Sequence, residues 1–248
     1  MKDELRPFWN RYFKFDWKFG LLLLLIVCVT RFVLVLKANE TGNYSLIGLV
    51  MFLSAIIPFI FLSKYGRKKT GIQTTTTKLN YLIIALGIGI LFSIVLHFLG
   101  QGFYGGTYEN WYEYIGKSYN IPENISTQGK KTMFLIMAIT GMIFSPIGEE
   151  LFFRGIVHGS FAKSVGNKKA SIIDSSAFAL THVSHFGLVF INNSWDFYLI
   201  PTLIWISGMF IVSLIFFEMK KRTDSILGAI LCHSGFNLGM IYCIFYLI

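Results

Sequence analysis

At 248 residues, 54% of them hydrophobic and only 14% charged, with a mean hydropathy of +0.60, the chain is too apolar for an ordinary soluble domain. Its net charge of +9 does not point to nucleic acid, because the basic residues fall in short clusters between apolar runs rather than along one patch. Cys28, Cys232 and Cys243 all lie inside apolar runs, an odd count with no disulfide pattern, and read as small buried side chains.

The fold class this predicts is an all-α polytopic membrane protein with about seven transmembrane helices and an intramembrane polar site. Residues 1–18 interleave Arg6, Arg11, Lys14 and Lys18 with Phe8, Trp9, Tyr12, Phe13, Phe15 and Trp17, the composition of a basic aromatic interfacial segment. A single transmembrane domain is expected over 19–248. No small-residue cleavage pattern follows the first apolar run, so it reads as an anchor. Spans are predicted near 19–36, 45–63, 79–100, 132–161, 170–185, 198–217 and 225–247. The fifth carries Asp174, Ser175, Ser176, Thr181 and His182 and is expected among the other helices rather than against lipid. Arg31, in the outer third of the first span, is accounted for by snorkelling to the outer headgroups. The loop 101–131 reads as a solvated connector more than a lid. Thr74 to Thr77 is the one low-complexity tract.

Segments 1–18, 64–78, 162–169 and 218–224 hold sixteen Lys and Arg, against four in the opposite loops: Lys37, Lys117, Lys130 and Lys131. The positive-inside rule then places the amino terminus in the cytoplasm and the carboxyl terminus outside, in what we expect to be a bacterial plasma membrane.

The decisive stretch is Ser145-Pro146-Ile147-Gly148-Glu149-Glu150-Leu151-Phe152-Phe153-Arg154-Gly155. A charged side chain at the centre of a spanning helix costs on the order of 3 kcal/mol, so this cluster implies pairing, a watered cavity, or both. Glu150 and Arg154 are four apart and can pair on one face, whereas Glu149 lies about 100° round the axis and is left for chemistry. Pro146 removes a hydrogen bond and frees the carbonyl near Met142, bending the helix where a cavity needs room.

Counting residues from the cytoplasmic helix ends puts Glu149, His182 and His233 at depths of about 18, 18 and 12 Å. Three helices can therefore bring one carboxylate and two imidazoles together, with Asn237 one turn beyond His233 on the same face. His97, His158 and His185 are read as hydrogen-bonded core residues, His158 with solvent contact near a helix end and His185 within reach of the site as a supporting residue.

With these residues in hand, the chain resembles the CAAX prenyl endopeptidase and bacteriocin-processing family, also called the CPBP or Abi family, over a core of about 132–240. The run Glu149-Glu150 to Arg154 looks like its E-E-x-x-x-R motif, Phe178 to His182 its F-x-x-x-H, and His233 to Asn237 its H-x-x-x-N/D, in the family's order. The resemblance implies an intramembrane endopeptidase acting on membrane-embedded or lipidated peptides. In that reading Glu149 and His182 activate water, His233 and Asn237 stabilise the oxyanion, and Glu150, Arg154 and Phe178 support them. The expected scissile bond lies near the cytoplasmic half of the bilayer.

The chemistry of the residues agrees: a Glu in a low-dielectric cleft can take a proton from water, and donors facing the scissile carbonyl contribute about 3 kcal/mol each. Glu149, His182 and His233 could instead ligate zinc, but H-E-x-x-H is absent and the metal-free mechanism is favoured, with no cofactor firmly expected. Two rivals remain at this level. A non-catalytic scaffold or self-immunity protein predicts decayed motifs, which are intact here, and a transporter predicts two related halves, which are not seen.

Overall fold

The computed structural model describes residues 3–72 and 79–248, so the tract Thr74 to Thr77 lies outside the described residues. Helix α1 (Trp17–Thr41) starts where the Asp16 carboxylate accepts the backbone N–H groups of Lys18 and Phe19 and stops at Gly42, whose φ of 71° ends the helix left-handed. It is followed by α2 (Ser45–Phe61), a short α3 (Lys64–Lys69), α4 (Leu79–Tyr104) and a short α5 (Trp111–Gly116). Helix α6 (Thr127–Glu150) runs without a break through a π-helical turn, Leu151–Val157, into α7 (His158–Val165). Then come α8 (Asn167–Thr181), the antiparallel hairpin β1 (Leu188–Ile191) and β2 (Ser194–Phe197), α9 (Leu199–Thr223) and α10 (Ile226–Tyr246).

Five helical stretches are long and apolar enough to cross a membrane: Trp17–Thr41, Leu79–Tyr104, Thr127–Val165, Leu199–Thr223 and Ile226–Tyr246. The other two expected spans are helical but shorter, α2 with 17 residues and α8 with 15. The polar content of α8 explains its shortness: its Asp174, Ser175 and Thr181 are buried against protein, where full bilayer length is not required.

Helix α10 sits at the centre, packed against α4, α6 and α9. Glycine permits that approach. A Cβ on Gly235 would lie 2.1 Å from the Leu86 carbonyl oxygen of α4, so the two backbones meet with no side chain between them. Gly148 does the same for α6 against α2, where a Cβ would fall 2.4 Å from the Met51 carbonyl oxygen.

Two expectations about connecting segments are corrected here. The loop 101–131 is not a solvated connector: Trp111 and Tyr112 of α5 are fully buried, the Tyr112 hydroxyl donates to the Ser93 carbonyl at 2.9 Å, and Trp111 stacks on Trp205 of α9. Its aromatic residues fill the space between helix ends, which their apolar area favours over exposure. The segment before α1 does not simply lie on an interface either. Leu5 is buried in a bridge to Leu62, and the Trp9 indole donates to the Ile60 carbonyl at 3.0 Å, strapping it to the end of α2.

Candidate active site

The bend ahead of the paired glutamates is stabilised by the chain that crosses it. With no N–H at Pro146, the Met142 carbonyl is left free, and the Ser234 hydroxyl of α10 donates to it at 2.6 Å. One turn on, the Asn237 amide donates to the Gly141 carbonyl at 2.9 Å. The third motif is thereby fastened to the bent part of the first.

Beside this junction lies a cavity of about 230 Å³ whose wall includes Glu149, Phe178, His182, His233 and Asn237. Sequence reasoning named these five, and the fold brings them to one space. Glu150 and Arg154 lie behind the wall, both with fully buried side chains and 3.1 Å apart. The π-helical turn begins at Leu151, between the two, and Arg154 also donates to the Ser213 carbonyl at 3.2 Å and to its hydroxyl at 2.5 Å. A buried pair of this kind holds its charges only when further polar contacts complete it. Phe178 is the hinge of the arrangement: its ring centroid is 4.4 Å from that of His182 and 5.8 Å from that of His233, and the Arg154 guanidinium sits 4.7 Å from it.

The hydrogen bonds assign the imidazole tautomers. His182 Nδ1 faces the Phe178 carbonyl at 2.7 Å, an acceptor only, so Nδ1 carries the proton and Nε2 is left as an acceptor. His233 Nδ1 donates to the Glu150 carboxylate at 2.8 Å, and in the neutral ring its Nε2 is also an acceptor. That qualifies the expected donor role of His233: the ring can donate from Nε2 only as an imidazolium, with Glu150 as its counter-ion. Phe216 stacks on the same ring at 4.6 Å and fixes its plane.

Arg31 is the main residue that sequence reasoning missed. It does not snorkel; it is 4% exposed, lines the cavity, and places Nη1 3.1 Å from Glu149 Oε2. Its Nη2 donates to His185 Nε2 at 3.3 Å, so His185 is a cavity residue as well. The Ser145 hydroxyl donates to Glu149 Oε1. Glu149 is therefore not without a partner; its partners come from α1 and from the preceding turn. Arg31 lies fourteen residues into α1, a depth of about 21 Å, so the depth comparison applied to the histidines was sufficient to find it. His158 is likewise not in solvent. It is buried, with Nδ1 2.7 Å from the Asp174 carboxylate and Nε2 3.3 Å from the Asn167 side-chain oxygen.

The cavity wall also includes Tyr44 and Ile47 from the start of α2, and Ile115, Ser118 and Tyr119 from the segment containing α5. It therefore extends toward the end of the bundle that carries the 104–127 connection, away from the Lys-rich turns. This departs from the expected position near the cytoplasmic half. The physical reason is that α6 is bent at Pro146 and the buried connector supplies the remaining wall.

Among the described residues no group of three or more His, Cys, Asp and Glu side chains is disposed to hold a metal ion. The donor set agrees, since the Glu149 oxygens face the Ser145 hydroxyl and the Arg31 guanidinium, and a dication there would have to displace a like charge. Glu149, His182 and His233 as arranged do not fit zinc.

Residues 131–239 match the family model of the type II CAAX prenyl endopeptidase Rce1-like proteins. This segment is a CAAX prenyl endopeptidase family core. The match spans all three motifs, from the helix carrying Glu149 to the helix carrying Asn237. No curated protein and no solved structure matches the chain. The CAAX endopeptidase family is a protease family, so a membrane-embedded endopeptidase is the class to which the site's chemistry is compared.

Proposed function

We propose that the protein is an intramembrane endopeptidase in which Glu149 and His182 activate water against a peptide bond held in the cavity. The observation that carries this reading is the pair of tied imidazoles: each Nδ1 is held by a fixed acceptor, which leaves each Nε2 a proton acceptor in a cavity that also contains the Glu149 carboxylate. Water placed between Glu149 and His182 gives up its proton as its oxygen attacks the carbonyl carbon. Asn237 retains one amide N–H beyond the one given to Gly141 and can offer it to the carbonyl oxygen. Glu150 and Arg154 hold His233 and the helix rather than touching substrate.

The substrate class is a membrane-embedded or lipidated peptide, with the amino terminus of the protease in the cytoplasm and no nucleic-acid partner. The mechanism is metal-free, which elemental analysis of the purified protein checks. One equivalent of zinc whose loss abolishes activity would overturn it.

The test is Glu149→Gln, which keeps the shape but accepts no proton. Reconstituted in liposomes with an internally quenched prenylated CAAX peptide, the variant is expected to lose about 10²–10⁴-fold in kcat while keeping its thermal unfolding profile. A folded variant that cleaves at the wild-type rate refutes the assigned base. Wild-type protein that cleaves neither this peptide nor a mixture of membrane peptides favours the non-catalytic scaffold or self-immunity reading.

A further inference from the structure

The guanidinium of Arg31 is incompletely bonded in a place where that is costly. It is 4% exposed, and only its Nη2 makes a hydrogen bond, to His185. Nη1 lies close to Glu149 Oε2 without hydrogen-bond alignment, and Nε has no partner. Each buried N–H left unmade is unfavourable, and nothing in the surrounding fold takes these two. Arg154, the other buried arginine with unmade bonds, is outside the cavity wall; Arg31 is in it. A group entering the cavity can accept from it.

The charge balance of the proposed reaction says which group. When the water oxygen bonds to the scissile carbonyl carbon, the water proton passes to the Glu149 carboxylate and the carbonyl π pair moves onto the carbonyl oxygen. Before this step Glu149 compensates the guanidinium. Afterwards Glu149 is neutral, the guanidinium has lost its counter-ion, and a new anion stands in the same cavity. One fixed cation serves both anions in turn, so the cavity carries no uncompensated charge at any point, the condition a low-dielectric site imposes. When the C–N bond breaks, the Glu149 proton goes to the leaving nitrogen, the oxyanion pair re-forms the carbonyl, and Arg31 regains its first partner. His233 cannot fill this place as a neutral ring, because Nδ1–H is committed to Glu150 and Nε2 accepts.

We propose that Arg31 is a catalytic residue, the cationic donor that binds the oxyanion of the tetrahedral intermediate through its unpartnered N–H groups. This rests on the endopeptidase reading, and the test separates the two. The full chain and its Arg31→Gln and Arg31→Lys variants are reconstituted in liposomes with the quenched prenylated CAAX peptide, and with a phosphonate version of that peptide carrying a tetrahedral anion at the scissile position. Arg31→Gln is expected to lose about 10²–10³-fold in kcat, the loss seen on removing one oxyanion donor, with KM changed only a few-fold. Phosphonate affinity should fall in parallel with kcat/KM, and Arg31→Lys should recover part of both. Where Arg31→Gln fails to fold, phosphonate binding to Glu149→Gln is compared with binding to the Glu149→Gln/Arg31→Gln pair, which buries no unpaired charge. Glu149→Gln should bind the phosphonate more tightly than wild type, and the double variant should lose that gain. Cleavage by wild type with phosphonate affinity independent of Arg31 sinks this assignment and leaves the protease reading intact. A wild type that neither cleaves the peptide nor binds the phosphonate sinks both.

Discussion

Removing the Arg154 side chain tests whether the buried pair behind the cavity holds the fold. In wild type the Glu150 side chain is fully buried, faced by Arg154 at 3.1 Å and by His233 Nδ1 at 2.8 Å. Arg154→Ala strips the first partner and the guanidinium that lies over Phe178 and Phe216, and breaking one side of a buried pair costs about 3–5 kcal/mol. For a chain of this length each 1 kcal/mol shifts Tm by about 2–4 °C, so a drop of about 6–20 °C is expected, read by thermal unfolding in detergent with intrinsic fluorescence. Because His233 remains beside Glu150 and can take a proton, the loss should fall toward the lower end. The combination Glu150→Gln/Arg154→Met removes both charges and should recover most of it. An Arg154→Ala protein with wild-type Tm and yield would refute the assignment of this pair as a structural element.

Ser234→Ala should cost about 1 kcal/mol by leaving the Met142 carbonyl unpaired. The penalty should shrink in a Pro146→Ala background that restores a backbone N–H, as a double-mutant cycle of unfolding free energies would show. Gly148→Ala places a Cβ 2.4 Å from the Met51 carbonyl oxygen, and overpacking of about 1–3 kcal/mol should appear as lower Tm together with lower kcat. Trp111→Ala opens a cavity worth about 3–5 kcal/mol. Because Trp111 stacks on Trp205, whose indole donates to the His182 carbonyl at 3.2 Å, peptidase activity should fall with it. At the other end of the bundle, burial alone would raise the Glu4 carboxyl, but hydrogen bonds from Lys69 and Lys163 hold it below its usual range of about 4.5. That contribution is present at neutral pH and is lost as pH falls through the depressed value. Both lysines are about half exposed, so it is worth under about 1 kcal/mol. The Tm gap between wild type and Glu4→Gln should close on acidification.

The apolar runs and the three motifs were legible because bilayer length and intramembrane charge are severe constraints, and they leave their mark on single residues such as Glu149 and His233. Depth along a helix could also be counted. Rotation about the helix axis could not, which is why Glu149 was read as partnerless: its partner is on α1, more than a hundred positions away. Arg31 was misread for a different reason. A long cationic side chain has a cheap local explanation in snorkelling, and that explanation was accepted without the depth comparison that contradicts it. The buried role of Trp111 and Tyr112 was hidden because aromatic residues suit a membrane interface and a packed helix end equally well. Nothing local marks the hairpin at 188–197, whose exposed β2 carries no pattern beyond its turn asparagines, Asn192 and Asn193, both at positive φ.

The π-helical turn at Leu151–Val157 makes the spacing of the chain, and not only its side chains, part of the design. A π turn holds one more residue than an α-helical turn of the same reach. Deleting any one residue there would let the helix revert to α geometry and swing everything after it by about 100°, carrying His158 away from Asp174. Such a deletion removes no residue assigned to chemistry if it takes Ile156, yet it would uncouple α7 from α8 and disturb the helix that presents Phe178 and His182. Insertions and deletions should therefore be tolerated around Gly105 and Gly106, where nothing crowds the backbone, and rejected within these seven residues. A scan of single-residue deletions would read the geometry of the site without altering a single functional group.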